Sequence, residues 1–281
     1  MCRLIDDISG FLESHGFACS RQMRHDFDVL CVRTADGRSR KVILPLEVSA
    51  SGQAEAARYA RAAEECIDLI SLYEGYPLIL TEDRWKSQGT MMKARLLAHL
   101  ELFSSVFARN CEVRRLEKSE AQAFLSENHA YGYAACRYRY GLFLKGRTGG
   151  PVAVAAFSNA RRWLKDGKEI RSYEWTRYAS LPDMRVSGGM GKLLKAFIEE
   201  VRPDDVMSYA DLEWSEGSVY ERLGFVKDGI KEAVMFAVDP RTWRRCPISR
   251  FEGKDTAAEG AVRYFRNFGS NKYRLKLTEY E

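Results

Sequence analysis

Residues 184–197 read MRVSGGMGKLLKAF: three glycines within four positions, followed at once by an apolar-periodic stretch. Glycine inside a regular element costs up to about 1 kcal/mol relative to alanine, so a cluster at a helix start needs a compensating reason. One reason is a tight strand-to-helix turn. A sharper one is a backbone that must come close to a phosphate and aim its N–H groups at it. Both put a strand before residue 188 and a helix after it, so this part of the chain is α/β.

The remaining punctuation extends that reading. Residues 2–15 predict an amphipathic helix, FDVLCVR (27–33) a strand, Asp36-Gly37 a turn and KVILPLEV (41–48) a second strand. A long helix from Ser51 ends at Gly75, YPLILTE (76–82) is a short strand, and 83–108 reads as another long helix. From Cys111 the rhythm changes to strand (111–116), helix (117–129) and a hairpin of 137–145 with 151–158. A long strand at 169–180 follows, with Tyr173, Trp175 and Arg177 expected on one face and Glu174 and Thr176 on the other. After the glycines come a helix (190–201), a strand (205–212), a short helix near EGSVYERLGF, and strands at 233–239 and 272–277. The change at 108/109 predicts two parts, 1–108 and 109–281. The second has the order β-α-β-β-β, glycine loop, α-β-α-β-β.

Charge follows the same division. Residues 1–108 hold 13 Lys/Arg and 15 Asp/Glu, a net of −2, whereas 109–281 hold 31 and 24, a net of +7. The stretch 241–276 has ten basic and three acidic residues. A basic second part points to an anionic ligand or a nucleic-acid surface. Nothing approaches about 18 uncharged apolar residues in a row, so no membrane span is expected. The opening MCRLIDDISGFLESHGF carries acids early and does not read as a signal peptide. The seven cysteines are scattered, odd in number and without a C-x-x-C pair. Neither a metal site nor a disulfide framework is expected, and free thiols in a reducing cytoplasm are the simplest reading.

A glycine loop between a strand and a helix, in this chain order, resembles the GNAT family of acyl-CoA-dependent N-acyltransferases. The family signature, Q/R-x-x-G-x-G/A followed by two residues and an apolar pair, reads here Arg185-Val-Ser187-Gly188-Gly189-Met190-Gly191-Lys192-Leu193-Leu194. Met190 stands where Gly or Ala is usual, with Gly191 beside it. A second landmark, Tyr followed after three residues by Gly-Phe, is supplied by Tyr220, Gly224 and Phe225. The resemblance implies a mixed central sheet with helices on both faces, acetyl-CoA as acyl donor, and residues 185–192 as the seat of its pyrophosphate. Physical chemistry agrees: a helix N-terminus has unpaired N–H groups and partial positive charge.

The implied reaction is attack of an amine-type nitrogen on a thioester, needing a base for the nucleophile and an acid for the departing thiolate. Tyr220 matches the tyrosine acid of the family. Glu174, on the strand before the loop, and Asp211, at the end of the next strand, both stand as base candidates. His129 in ENHAYGY and Arg177 are candidates for binding the acceptor. The acceptor itself and the oligomeric state are open at this point, with nucleic acid one acceptor class.

A narrower resemblance is to phage-encoded GNAT-like proteins whose N-terminal segment is similar to very-short-patch-repair and homing-type endonucleases. It rests on NHAYGY, EWTRYAS, SYADLEWSEGSVYERLGF, FGSNKYRLKL and YPLILTEDRWKSQGTMMKARLLAHL. It makes 1–108 a smaller, restriction-endonuclease-like α/β unit with carboxylates at Asp28, Glu47 and Glu82. The polar residue usual after the Glu is replaced by Val48 and Ser49, which implies binding rather than cleavage. SYAD followed by Gly and Tyr also resembles, more loosely, the Mom-type phage proteins that modify adenine in DNA. Two alternatives to the acyltransferase follow: a nucleic-acid-binding protein with an idle acyltransferase fold, and a nuclease acting through 1–108.

Overall fold

The computed structural model describes residues 3–165, 167–251 and 262–279. In chain order the elements are α1 (Leu4–Glu13), β1 (Cys19–Arg24), β2 (Phe27–Arg33), β3 (Arg40–Leu46), α2 (Gln53–Glu74), β4 (Leu78–Thr81), α3 (Glu82–Ser87), α4 (Gly89–His99), β5 (Ser104–Phe107), β6 (Cys111–Arg115), α5 (Lys118–Asn128), β7 (Tyr138–Leu144) and β8 (Ala153–Phe157). Then follow β9 (Arg161–Lys165), β10 (Lys168–Ser180), β11 (Met184–Ser187), α6 (Gly189–Val201), β12 (Asp205–Asp211), α7 (Ser218–Arg222), β13 (Val226–Lys231), β14 (Met235–Val238), β15 (Arg245–Pro247), α8 (Ile248–Phe251), β16 (Arg263–Arg266) and β17 (Ser270–Lys276). None of the described helices is long and apolar enough to cross a membrane.

Two compact units share this chain, and neither is one continuous segment. The first comprises Met1–Leu102, Asp211–Glu216 and Ile230–Ser270; the second comprises Phe103–Ala210, Gly217–Gly229 and Asn271–Glu281. The sequence reading kept 230–270 with the second part. In the structure Val238, Phe265 and Phe268 pack with Ile70 and Ile79 in the first unit's core, so burial draws this segment to the first unit. Of the basic stretch 241–276, residues 252–261 lie outside the described residues, as does Cys2.

The first unit has a four-stranded sheet in the order β1-β2-β3-β4 and a three-stranded sheet in the order β15-β14-β16. β1, β2 and β3 form an antiparallel meander, and the α2 crossover makes β4 parallel to β3. Small residues let α2 sit close to its neighbours: Ala56, Ala60 and Ala63 are buried along one stripe, with Cys66, Ile67 and Ile70 continuing it. The helix expected over 83–108 is broken. Gln88 leaves helical geometry (φ −132°, ψ 32°), which separates α3 from α4. Residues 104–107, two serines then Val106 and Phe107, are weak helix formers and instead extend as β5.

The second unit is built on a mixed sheet in the order β13-β17-β12-β10-β8-β7-β6, with β9 paired to the first part of β10. β8 reads AVAAF and is buried throughout, as a central strand covered on both faces should be. α6 covers one face through Leu193, Leu194 and Phe197, whose ring stacks on Phe157 at 4.0 Å. α5 covers the other through Ala121 and Leu125 against Val154, Ala156 and Ala179. The fold class is therefore the expected α/β (α+β) type, a mixed sheet flanked by helices.

Candidate functional site

The site starts where two neighbouring strands part. β10 and β12 run parallel but pair only over Ser172–Glu174 and Asp205–Met207. From Trp175 onward β10 is bonded to β8 instead, and that ladder shifts register between Trp175 and Arg177. The extra residue is Thr176, whose hydroxyl donates to the Ala156 carbonyl at 3.0 Å. Past the bulge, alternation is reversed. Trp175 and Tyr178 lie with the α6-side cluster, whereas Ala179 lies with the α5-side cluster. Arg177 pairs with Ala156, an α5-side residue, so it leaves the face of Tyr173 and Trp175 and joins that of Glu174. Simple period-2 reading of 169–180 misplaced it for that reason.

At the parting point the first unpaired residues are tied by side chains. The Ser208 hydroxyl lies 3.0 Å from the Trp175 carbonyl oxygen and 2.9 Å from the Tyr220 hydroxyl. Both the Trp175 carbonyl oxygen and the Tyr220 oxygen accept from Ser208, whose single proton serves one of them at a time. Tyr220 is further fixed by stacking on Tyr273 (5.4 Å) and by edge contacts with Trp175 and Phe225. Burial pushes its phenol above the usual tyrosine range, with Ser208 opposing. Around neutral pH this is a protonated, positioned hydroxyl.

The glycine loop lies in the same unit. β11 pairs in parallel with β5, Ser187 opposite Phe107, and delivers the chain to Gly188. Gly188 caps α6 in the left-handed region (φ 77°, ψ 4°), and no side chain caps the N-terminus. Lys192 N–H makes the first helical bond, to Gly188 O at 3.0 Å, so the N–H groups of Gly189, Met190 and Gly191 precede the ladder. A Cβ on Gly189 would stand 3.0 Å from Val186 Cβ and 3.1 Å from the Tyr178 hydroxyl, so close packing requires this glycine as well. Burial lifts the Tyr178 phenol to about 12. Lys192 turns away from the loop's open side: its ammonium donates to the carbonyls of Cys111 and Ala108, at 2.5 and 2.9 Å. Arg185 is exposed and sits over the Phe103 ring at 5.3 Å.

The α5 side gathers the other candidates. Arg177 Nε donates to Gly132 O at 2.9 Å and its Nη1 to Thr176 O at 2.7 Å, which anchors the 129–133 loop to β10. Burial lowers the Arg177 pKa, and the charge of Glu174 opposes the shift. His129 accepts the Tyr131 N–H at 3.1 Å through Nδ1, and Tyr131 stands under the Arg177 guanidinium. Glu174, Arg177 and the His129 loop are thus neighbours. Asp211 belongs to the first unit, where it faces Arg84 at 3.4 Å and accepts the Glu213 N–H at 3.0 Å. Sequence reasoning missed Ser208 and Tyr178; both sit on strands beside residues it did select, but only the paired register shows which way they point.

The nuclease-type carboxylates are held by basic groups. Asp28 is bridged by Arg3 and Arg21 at 2.9 and 3.0 Å, which keep its carboxyl below the usual range, and Glu47 is 3.8 Å from the same Arg3. Glu82 pairs with Lys86 at 2.7 Å and accepts the Val48 N–H. Among the described residues no group of three or more His, Cys, Asp or Glu is arranged to hold a metal ion.

No protein-family model matches the chain, and no curated protein matches it in sequence. Solved structures do align with it. A chain of the NatC complex bound to Gag peptide and CoA is 12% identical, covering 60% of this chain and 99% of that one, at TM-score 0.37. A GNAT-family acetyltransferase from Bacillus anthracis is 11% identical, covering 59% and 95%, at 0.32. A histone acetyltransferase HPA2 and related acetyltransferase from Corynebacterium glutamicum is 14% identical, covering 82% and 94%, at 0.33.

Proposed function

We propose that this protein transfers an acetyl group from acetyl-CoA to an amine-type nitrogen, using the unit formed by 103–210, 217–229 and 271–281. One observation carries the reading: an uncapped helix N-terminus behind Gly188 and a buried phenol on Ser208 occur in one unit whose strands β10 and β12 part. The open N–H groups of Gly189, Met190 and Gly191 suit a pyrophosphate, since they are unpaired and have no Cβ in front of Gly188 or Gly189. Ser187 leads into this loop. Arg185 is its exposed cation, whereas Lys192 supports the loop from behind.

The acceptor nitrogen attacks the thioester carbonyl carbon, forming the N–C bond. Collapse breaks the C–S bond, the nitrogen loses a proton to a base, and the thiolate takes one from Tyr220. The products are an amide and a free thiol, and the proton count balances. Glu174 is our base, because it lies on the parted strand beside Arg177 and the His129 loop; Asp211 is occupied by Arg84. His129 and Arg177 shape the acceptor side. The acceptor class is a nitrogen nucleophile, and the basic excess of 109–281 is what favours a nucleic-acid base among them. The first unit enters as a binding module. Its Asp28 and Glu47 carboxylates share Arg3, which favours binding over metal-dependent cleavage.

A thiol-release assay with acetyl-CoA and a panel of a small diamine, a peptide and a single-stranded oligonucleotide tests the reading. Acceptor-dependent release that disappears in Glu174→Gln supports it. Binding of acetyl-CoA with no release for any acceptor favours the idle-fold alternative; metal-dependent nicking of DNA would favour the nuclease.

A further inference from the structure

The first unit contains a cavity of about 600 Å³ at one end of its four-stranded sheet. It exists because β1 stops short. Cys19, the first residue of β1, pairs with Val32, so Arg33 has no neighbour on that side. The gap is walled by the connection after α1, which includes His15 and Phe17, by Thr34 and Arg40 of the β2–β3 hairpin, and by Leu102. Its size is that of a small-molecule site.

The charges in this cavity are one-sided. Arg33 and Arg40 lie directly opposite each other in the antiparallel register of β2 and β3. Like charges in that relation destabilise a strand pair. Neither guanidinium has a carboxylate partner among the described residues, and no Asp or Glu lines the cavity. The one acid of the connecting turn, Asp36, is occupied by the Thr34 hydroxyl at 2.6 Å and the Arg38 N–H at 3.0 Å. His15 adds a third nitrogen donor or acceptor: Nδ1–H donates to the Phe11 carbonyl at 2.9 Å, which fixes the tautomer and leaves Nε2.

We propose that this cavity binds an organic phosphate, its phosphoryl oxygens bridging Arg33 and Arg40 and its organic body lying against Phe17 and Leu102. Two forked guanidiniums with no internal counter-charge match a doubly charged oxyanion, which each can hold by paired hydrogen bonds. The apolar wall selects a ligand with more than a bare phosphate. This site is independent of the acyl-donor site, which lies in the second unit.

Calorimetric titration of the full-length protein with inorganic pyrophosphate, adenosine diphosphate and adenosine tests it. Each is titrated into the wild type, into Gly191→Asp, which blocks the helix N-terminus of α6, and into arginine variants that combine Gly191→Asp with Arg33→Gln or with Arg40→Gln. The proposal expects diphosphate-containing ligands to bind Gly191→Asp and to bind each arginine variant at least about tenfold more weakly. Adenosine diphosphate should exceed pyrophosphate, and adenosine should not bind. Without ligand, each arginine variant should melt about 1–3 °C higher than Gly191→Asp, because a like-charge pair is removed. Loss of pyrophosphate and adenosine diphosphate binding in Gly191→Asp alone, or affinities unchanged when either arginine is also replaced, would overturn the site. Equal affinity for pyrophosphate and adenosine diphosphate would overturn its organic part.

Discussion

Ser208 and Tyr220 lie 2.9 Å apart at their hydroxyls, and Ser208 reaches on to the Trp175 carbonyl where β10 leaves β12. The proposed acid is therefore oriented by the same feature that opens the sheet. Tyr220→Phe is expected to lower turnover by about 10²–10⁴ with little change in acetyl-CoA affinity, since a general acid acts only in the transition state. Steady-state kinetics with the best acceptor, alongside calorimetry, measures both. Wild-type turnover in a variant whose chemical step is limiting would make Tyr220 a packing residue.

The same pair sets a pH dependence. Tyr220 works as an acid only while protonated, that is, below its pKa. Burial raises that pKa above the ordinary tyrosine value, so the alkaline limb of activity should lie above that of an ordinary tyrosine. Ser208 opposes the shift, so Ser208→Ala should move the limb further up. A kcat profile from pH 7 to 11 checks the direction; a downward movement contradicts the assigned bond.

Gly217 ties α7, and hence Tyr220, to β17. A Cβ there would stand 2.3 Å from the Tyr273 ring, and its φ of 99° already disfavours any other residue. Gly217→Ala should cost about 2–4 kcal/mol by strain and displaced packing. Tyr273 supports Tyr220 by stacking, so activity should fall more than global unfolding explains. Urea unfolding with activity measured well below the transition separates the two effects.

The first unit depends on a buried ion network. Arg245 pairs with Asp83 and with Glu213 (2.7 Å to the latter), and all three are largely removed from water. Arg245→Met leaves Asp83 without its ion-pair partner and Glu213 with Arg84 alone (3.0 Å), and should cost about 3–5 kcal/mol at pH 8. In the wild type, burial raises Glu213, while Arg245 helps hold Asp83 low. Without Arg245 both folded-state pKa values rise. A raised carboxyl favours the folded state when protonated, so the deficit should shrink as pH falls towards 5. A deficit that grows on acidification would contradict the network's charge assignment.

What the sequence made legible follows from local chemistry. The glycine-to-helix transition at 187–192 appeared as expected because φ > 0 at Gly188 and the apolar spacing of Leu193, Leu194 and Phe197 are local properties. Signals that depend on distant partners mislead. Residues 104–107 look like a helix end until their parallel partner β11, about 80 residues away, is known. The face of Arg177 depends on a bulge fixed by β8, and the unit containing 230–270 depends on burial against α2. Asp211 shared its motif with the proposed site but took Arg84 as partner. Long-range pairing decides each of these, and no window of sequence contains it.

The central claim is that the α6 N-terminus seats the donor's pyrophosphate, and Gly191→Asp tests it most directly. At the third helical position a carboxylate suits the helix dipole and should leave stability equal or higher by about 0.3–1 kcal/mol. The neighbouring Leu223 methyl, 3.3 Å from the new Cβ, is the end of a flexible side chain. The same carboxylate would face the pyrophosphate with like charge. Calorimetry of acetyl-CoA binding should give one saturable site per chain in the wild type and none in the folded variant. Acetyl-CoA binding of equal affinity in both, or in neither, would contradict the account.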